Sequence, residues 1–150
     1  MENDIDAAVA EIVDLIQANI TDIRFTPDDP PEGNERWPMC LVYGSTANYA
    51  TPVSGVMTGL HGVTIMLLVP RDYKRGLADA HSLLTSLQDD IPQELLQGIL
   101  ENTIGEGAAS SVISTFGSID MVKQFGIDYE GTDCIAAVYT INDLKIMETL

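Results

Sequence analysis

Two histidines, two cysteines and 23 acidic residues are the groups of this 150-residue chain that could do chemistry. Their spacing withholds most of it. His61 opens an apolar run between Leu60 and Gly62, and His81 sits beside the apolar stripe of a helix. Neither has a second histidine at metal-ligand spacing, so each reads as a structural residue. Cys40 and Cys134 are too few and too far apart for a CxxC redox site or a cysteine-rich zinc site. They read as reduced, buried thiols of a cytosolic protein, with a single disulfide as the other possibility. Asp28-Asp29 and Asp89-Asp90 supply the oxygen ligands a divalent cation takes, but both pairs fall at turns and read as solvated residues. A glycosidase needs two carboxyl groups facing each other across a cleft, and with 23 acids any pair can be nominated. The chain has no GxxxxGK[ST] phosphate loop, no GxGxxG turn after a strand, no HExxH or EF-hand spacing and no GxSxG elbow. The expectation is therefore no enzyme: no catalytic, cofactor-binding or metal-binding residue.

Charge sets the next bound. Seven Lys and Arg stand against 23 Asp and Glu, a formal net charge of -16 and a pI of about 4.1. Direct phosphate binding needs clustered cations, and an anionic membrane surface repels such a chain. The charge keeps copies soluble, and it lets a surface stay near nucleic acid without sticking to it. Hydrophobic residues make up 45%, too many for a disordered chain. The length fits one domain over residues 1–150. No apolar run approaches the ~20 residues that span a bilayer. The acidic start, Met1-Glu2-Asn3-Asp4, fits neither a secretory signal nor a transit peptide.

The elements follow from hydrophobic period. Ile5, Ala8, Val9, Ile12, Ile16 and Ile20 recur at three- and four-residue steps, predicting a helix from about Asp4 to Asn19. A short extended piece covers Ile23 to Thr26. Residues 27–35 hold three prolines and a glycine and read as a loop. Trp37-Pro38 leads into a strand from Met39 to Gly44. Ser45 to Thr58 is loop-like, or else the long arm of a hairpin. The strand from Leu60 to Val69 is apolar on both faces, as in a central strand or one at a subunit contact. Tyr73, Leu77, Ala80, Leu84 and Leu87 predict a second helix from about Asp72 to Asp89. Asp90-Ile91-Pro92 ends it, and Gln93 to Leu100 adds at most a short turn of helix. Asn102 to Ser110 reads as a loop.

Val112 to Phe125 and Cys134 to Met147 read as a hairpin joined by Gly126 to Gly131. The apolar phase of the last strand slips between Ile141 and Leu144, which predicts a β-bulge near Asn142-Asp143. The fold class is then α+β: a mostly antiparallel sheet of about four to five strands with two helices packed on one face.

The aromatic residues point to contact. Trp37, Tyr43 and Tyr49 cluster around one strand and its arm, and Met57 adds adaptable apolar surface nearby. Trp and Tyr are enriched at interfaces, so these four are the candidate subunit contacts, with a core role as the other reading of Trp37.

The layout resembles the tail terminator (tail completion) proteins of long-tailed bacteriophages. The likeness lies in an order of elements and a few short stretches. They are an amphipathic first helix, the loop Asp28-Asp29-Pro30-Pro31-Glu32-Gly33-Asn34, and the strand entry Trp37-Pro38-Met39-Cys40-Leu41-Val42-Tyr43-Gly44. A variable arm, the strand His61 to Val69, a helix beginning Arg71-Asp72, and a long final hairpin with Tyr129 and Gly131 in its turn complete it. The resemblance implies a structural virion protein of the tail and neck, assembled in the host cytoplasm. It would form a homo-oligomeric, hexameric ring on the head-proximal end of the tail tube, stop tube growth and offer a joining surface to the head-side connector. DNA would pass through the ring without specific binding, and no cofactor or membrane is implied. Lys123, Lys145 and the Arg71/Lys74/Arg75 group could then pair with acids of a neighbouring subunit. A head-closure or other neck protein, a tail tube protein, and a small acidic ligand-binding domain or enzyme are the competing readings.

Overall fold

The computed structural model describes residues 5–20, 23–25, 37–50, 55–100 and 117–149. The elements run α1 (Ile5–Asn19), β1 (Arg24–Phe25), β2 (Met39–Tyr49), β3 (Val56–Pro70), α2 (Leu77–Leu87), α3 (Asp90–Leu100), β4 (Ser118–Tyr129) and β5 (Thr132–Thr149). The strands form one sheet in the order β1-β2-β3-β5-β4. All pairings are antiparallel except the short β1–β2 pair, which is parallel. The helices pack on one face of this sheet. The α+β class expected from the element order is the observed one.

Strand alternation builds the main core. Val63, Ile65, Leu67 and Val69 of β3 and Ile135, Ala137, Tyr139 and Ile141 of β5 point to the helices. Ala8, Ile12, Leu15 and Ile16 of α1 meet them, with Ala80, Leu84 and Leu87 of α2 and Ile91 and Leu95 of α3. Burying one such large aliphatic side chain is worth about 1.5–3 kcal/mol, so this face holds most of the hydrophobic stabilisation. At the end of α1 the Asn19 side-chain amide donates to the Leu15 carbonyl at 2.8 Å and the Ile20 N–H donates to the Ile16 carbonyl at 2.8 Å, which closes the last turn.

The second helix begins later than its apolar period suggests. Residues 71–76 are turns and a bend, and α2 starts at Leu77. Gly76 caps it with φ 124°, a backbone conformation other residues rarely adopt, and Lys74 also has positive φ. A helical pattern of side chains therefore extends past the backbone that can carry it. Beyond α2, an 11-residue helix α3 stands where at most a turn was expected. Pro92 does not stop it, because Pro92 lies in its first turn, where the missing N–H has no intrahelical partner.

The strands are also longer than expected. β2 continues to Tyr49 and β3 starts at Val56, so the 45–58 stretch is largely a hairpin arm rather than a loop. β4 runs through Gly126 to Tyr129, and the connection shrinks to Glu130-Gly131, both with positive φ, as a two-residue hairpin turn needs. Three one-residue register shifts punctuate the sheet: at Ser45 in β2, at Gly126 in β4 and at Asn142-Asp143 in β5. The third is the bulge the phase slip predicts, and Asp143 sits there with φ 58°. Gly62 of β3 lies between the shifts of β2 and β5, and a Cβ on it would run into Thr46 Oγ1. The expected loops at 27–35 and 102–110, Asp28-Asp29, and strand residues 112–116 lie outside the described residues.

Candidate assembly surface

The second face of the sheet is the notable surface. By register, Leu41, Met66, Val138 and Val122 form one row across β2, β3, β5 and β4. The row on one side holds Met39, Leu68, Ala136 and Gln124, and the row on the other holds Tyr43, Thr64, Thr140 and Asp120. No described helix covers these rows, since every described helix residue of the core packs on the opposite face. A smaller cluster of Trp37, Met39, Leu68, Cys134 and Ala136 is buried at one end. From there the surface opens: Leu41, Met66 and Val138 are half-buried, and Val122 is 59% exposed.

This face is nearly free of charge. Among residues whose side chains are described, register puts only Asp120 and Lys145 on it. Asp120 accepts a 2.7 Å hydrogen bond from the Asn142 amide, which keeps it in the sheet. In a chain of net charge -16, the acids are therefore concentrated elsewhere, and this is the described surface that a second acidic body can approach with least repulsion.

The four nominated contact residues do not form one patch. Trp37 is only 7% exposed, belongs to the small buried cluster and is joined to Pro38 by a cis peptide bond. Tyr43 lies on the face opposite the described helices, 45% exposed, with its hydroxyl 3.7 Å from Met66 Sδ. Tyr49 pairs with Gly59 and so faces the other way, packed edge-on against His61 with ring centroids 5.6 Å apart. Met57 shares the Tyr49 face of the arm and is half-buried. The sequence reading missed Leu41, Val122 and Val138. The signal was present: adjacent apolar pairs such as Met121-Val122 leave no polar face to the strand.

Each histidine packs against an aromatic ring. His61 is 6% exposed beneath Tyr49, and His81 stacks on Phe125 at 5.9 Å. The cysteines are both fully buried and lie on opposite faces of the sheet, so they form no disulfide. Burial pushes the Cys40 thiol well above its ordinary range, which leaves it a poor nucleophile. Tyr139 is raised too, first by burial and then by Cys40, Asp89 and Asp90, so it remains a hydroxyl donor. Among the described residues no three His, Cys, Asp or Glu come together to hold a metal ion. No described helix is long and apolar enough to cross a membrane.

Open concavities of about 320 and 400 Å³ flank the start of α2, sharing Tyr73 and Lys74. The larger of the two is lined besides by Pro70 and Asp72; the other takes in Arg75, Asp79, Ser82, Leu83 and Ser86. Three of their four charged groups, Lys74, Arg75 and Asp79, are already engaged. Arg75 Nε meets Asp79 Oδ2 at 3.2 Å, and Lys74 Nζ lies 5.5 Å from the Tyr73 ring centre. The Arg75 backbone N–H, then its side chain, holds the Asp79 carboxyl below the usual range, which makes Asp79 a fixed ion-pair partner rather than a poised acid. Arg71 likewise pairs within the chain, with Asp133 at 3.6 Å. Compared with protein-family models and with curated proteins, the chain matches none.

Proposed function

We propose that this protein is a structural ring component of a long-tailed phage, a tail terminator that caps the head-proximal end of the tail tube. The observation that supports it best is the charge-poor apolar face that no described helix covers, carrying Leu41, Met66, Val138 and Val122. Exposed contiguous apolar surface of this kind marks an interaction site. The order of elements and the long final hairpin add to the reading, as does the acidity, which suits a ring through which DNA slides. In this role the chain works by contact: copies close a ring, one rim stops the tube and the other receives the head-side connector.

The test is light scattering over a concentration series, with electron microscopy of the same sample and of tails assembled with and without the protein. The expected result is rings, free or at tube ends, and tubes of uncontrolled length when the protein is omitted. If tubes end normally without it and no ring of it sits at their ends, the terminator role is wrong. A ring that binds the head connector but never the tube would instead indicate a head-closure protein.

A further inference from the structure

Among the described residues the sheet has two edges with no strand beyond them. β1 pairs only with Met39 and Cys40, so no described strand lies along residues 41–49 of β2. β4 pairs with β5 on one side and with no described strand on the other. An open edge is a row of unpaired N–H and C=O groups, a template for another strand. Four of the seven exposed large apolar side chains among the described residues sit on these edges: Val122 and Phe125 on β4, Tyr43 and Tyr49 on β2. By register, Val122 and Tyr43 share the face opposite the described helices, and Phe125 and Tyr49 lie on the other. Each edge thus presents one exposed apolar group on each side.

We propose that copies of this chain join head to tail through these edges, β4 of one copy pairing antiparallel with residues 41–49 of β2 in the next. The inference rests on the self-assembly reading above and names its seam. Strand direction allows it: β2, β3, β5 and β4 alternate in sense, so β2 and β4 of one chain are antiparallel and a rotated copy continues the alternation. Charge favours this partner over a β4–β4 pair. Residues 41–49 carry no charge, whereas β4 carries Asp120, Lys123 and Asp128. Pairing β4 with itself lines up two acid-bearing strands; pairing it with β2 does not. On β4 the usual edge protection is weak: Lys123 is drawn over α2, 3.2 Å from Thr85 Oγ1, and the Gly126 bulge leaves the strand regular from Ser118 to Phe125. On β2 the Ser45 bulge divides the edge into residues 41–44 and 46–49, so the regular seam is the Tyr43 segment and the Tyr49 segment meets it one residue out of step. A head-to-tail joint repeats from copy to copy and closes a ring when its rotation divides a full turn.

The experiment uses the full chain and two single variants, Val122→Lys, which blocks the β4 edge, and Tyr43→Lys, which blocks the β2 edge. Mass is read by light scattering, with circular dichroism and urea midpoints as folding controls. The expected result is that wild type assembles beyond a dimer, each variant alone is monomeric, and an equimolar mixture forms a one-to-one dimer through the two intact edges. The pair Phe125→Lys and Tyr49→Lys repeats the test from the other face should either first variant fail to fold. A Tyr43→Lys protein that still dimerises alone overturns the proposal in favour of a β4–β4 joint. Variants that keep the wild-type mass overturn the seam while self-assembly stands. A wild type that is monomeric at every concentration also overturns it, and the terminator role is then decided separately on tails.

Discussion

The Tyr139 hydroxyl donates to the Gln88 carbonyl at 2.5 Å, tying the central strand β5 to the joint between α2 and α3. Tyr139 is fully buried, so its one polar atom needs this partner. Tyr139→Phe keeps the ring and removes the bond, leaving the Gln88 carbonyl short of a donor. The expected loss is about 1–2 kcal/mol in urea unfolding at unchanged slope. A change below a few tenths of a kcal/mol means that water replaces the hydroxyl.

Gly62 and Thr46 set the geometry of the arm. A methyl at Gly62 meets Thr46 Oγ1, and Ser45 Oγ lies 3.4 Å away. Thr46 is β-branched and turns only at a cost. Gly62→Ala should destabilise by about 1–2 kcal/mol, and the double variant Gly62→Ala, Thr46→Ala should recover most of it. Additive losses would show that the close approach is not the cause.

Asp79 predicts a pH effect with a definite sign. Its folded-state carboxyl titrates below the ordinary aspartate range because Arg75 binds the charged form. The unfolded chain therefore takes up a proton first. The contribution is fully present above the unfolded pKa of about 3.9 and is lost as pH falls through the folded value. The stability gap between wild type and Asp79→Asn should be constant near neutrality and shrink below about pH 4. A gap that widens on acidification contradicts the assignment.

Cys40 and Cys134 give a readout of integrity. Both are 0% exposed, on opposite sides of the sheet. A thiol reagent should leave the native protein unlabelled over the time in which the urea-unfolded protein takes two equivalents, and nonreducing mass analysis should find no intramolecular disulfide. Fast native labelling of one thiol would mean that its side of the sheet opens locally.

Apolar periodicity by itself determined the order of the main elements apart from α3, because Ile12, Ile16 and their neighbours can bury a stripe only as a helix, and Val63, Ile65, Leu67 and Val69 only as a strand. It also placed the Asn142-Asp143 bulge, since a phase slip in a strand has no other cheap solution. Where elements end was decided by backbone conformation that side-chain pattern does not encode: positive φ at Lys74 and Gly76 delays α2, and a tolerated Pro92 admits α3. The surface was decided by tertiary structure alone. Leu41, Met66, Val138 and Val122 lie far apart in the chain and become one row only through the register of four strands. The same register separates Tyr43 from Tyr49, which the sequence sets close together. A strand sends successive side chains to opposite faces, and one extra residue at Ser45 is enough to change which neighbours they meet.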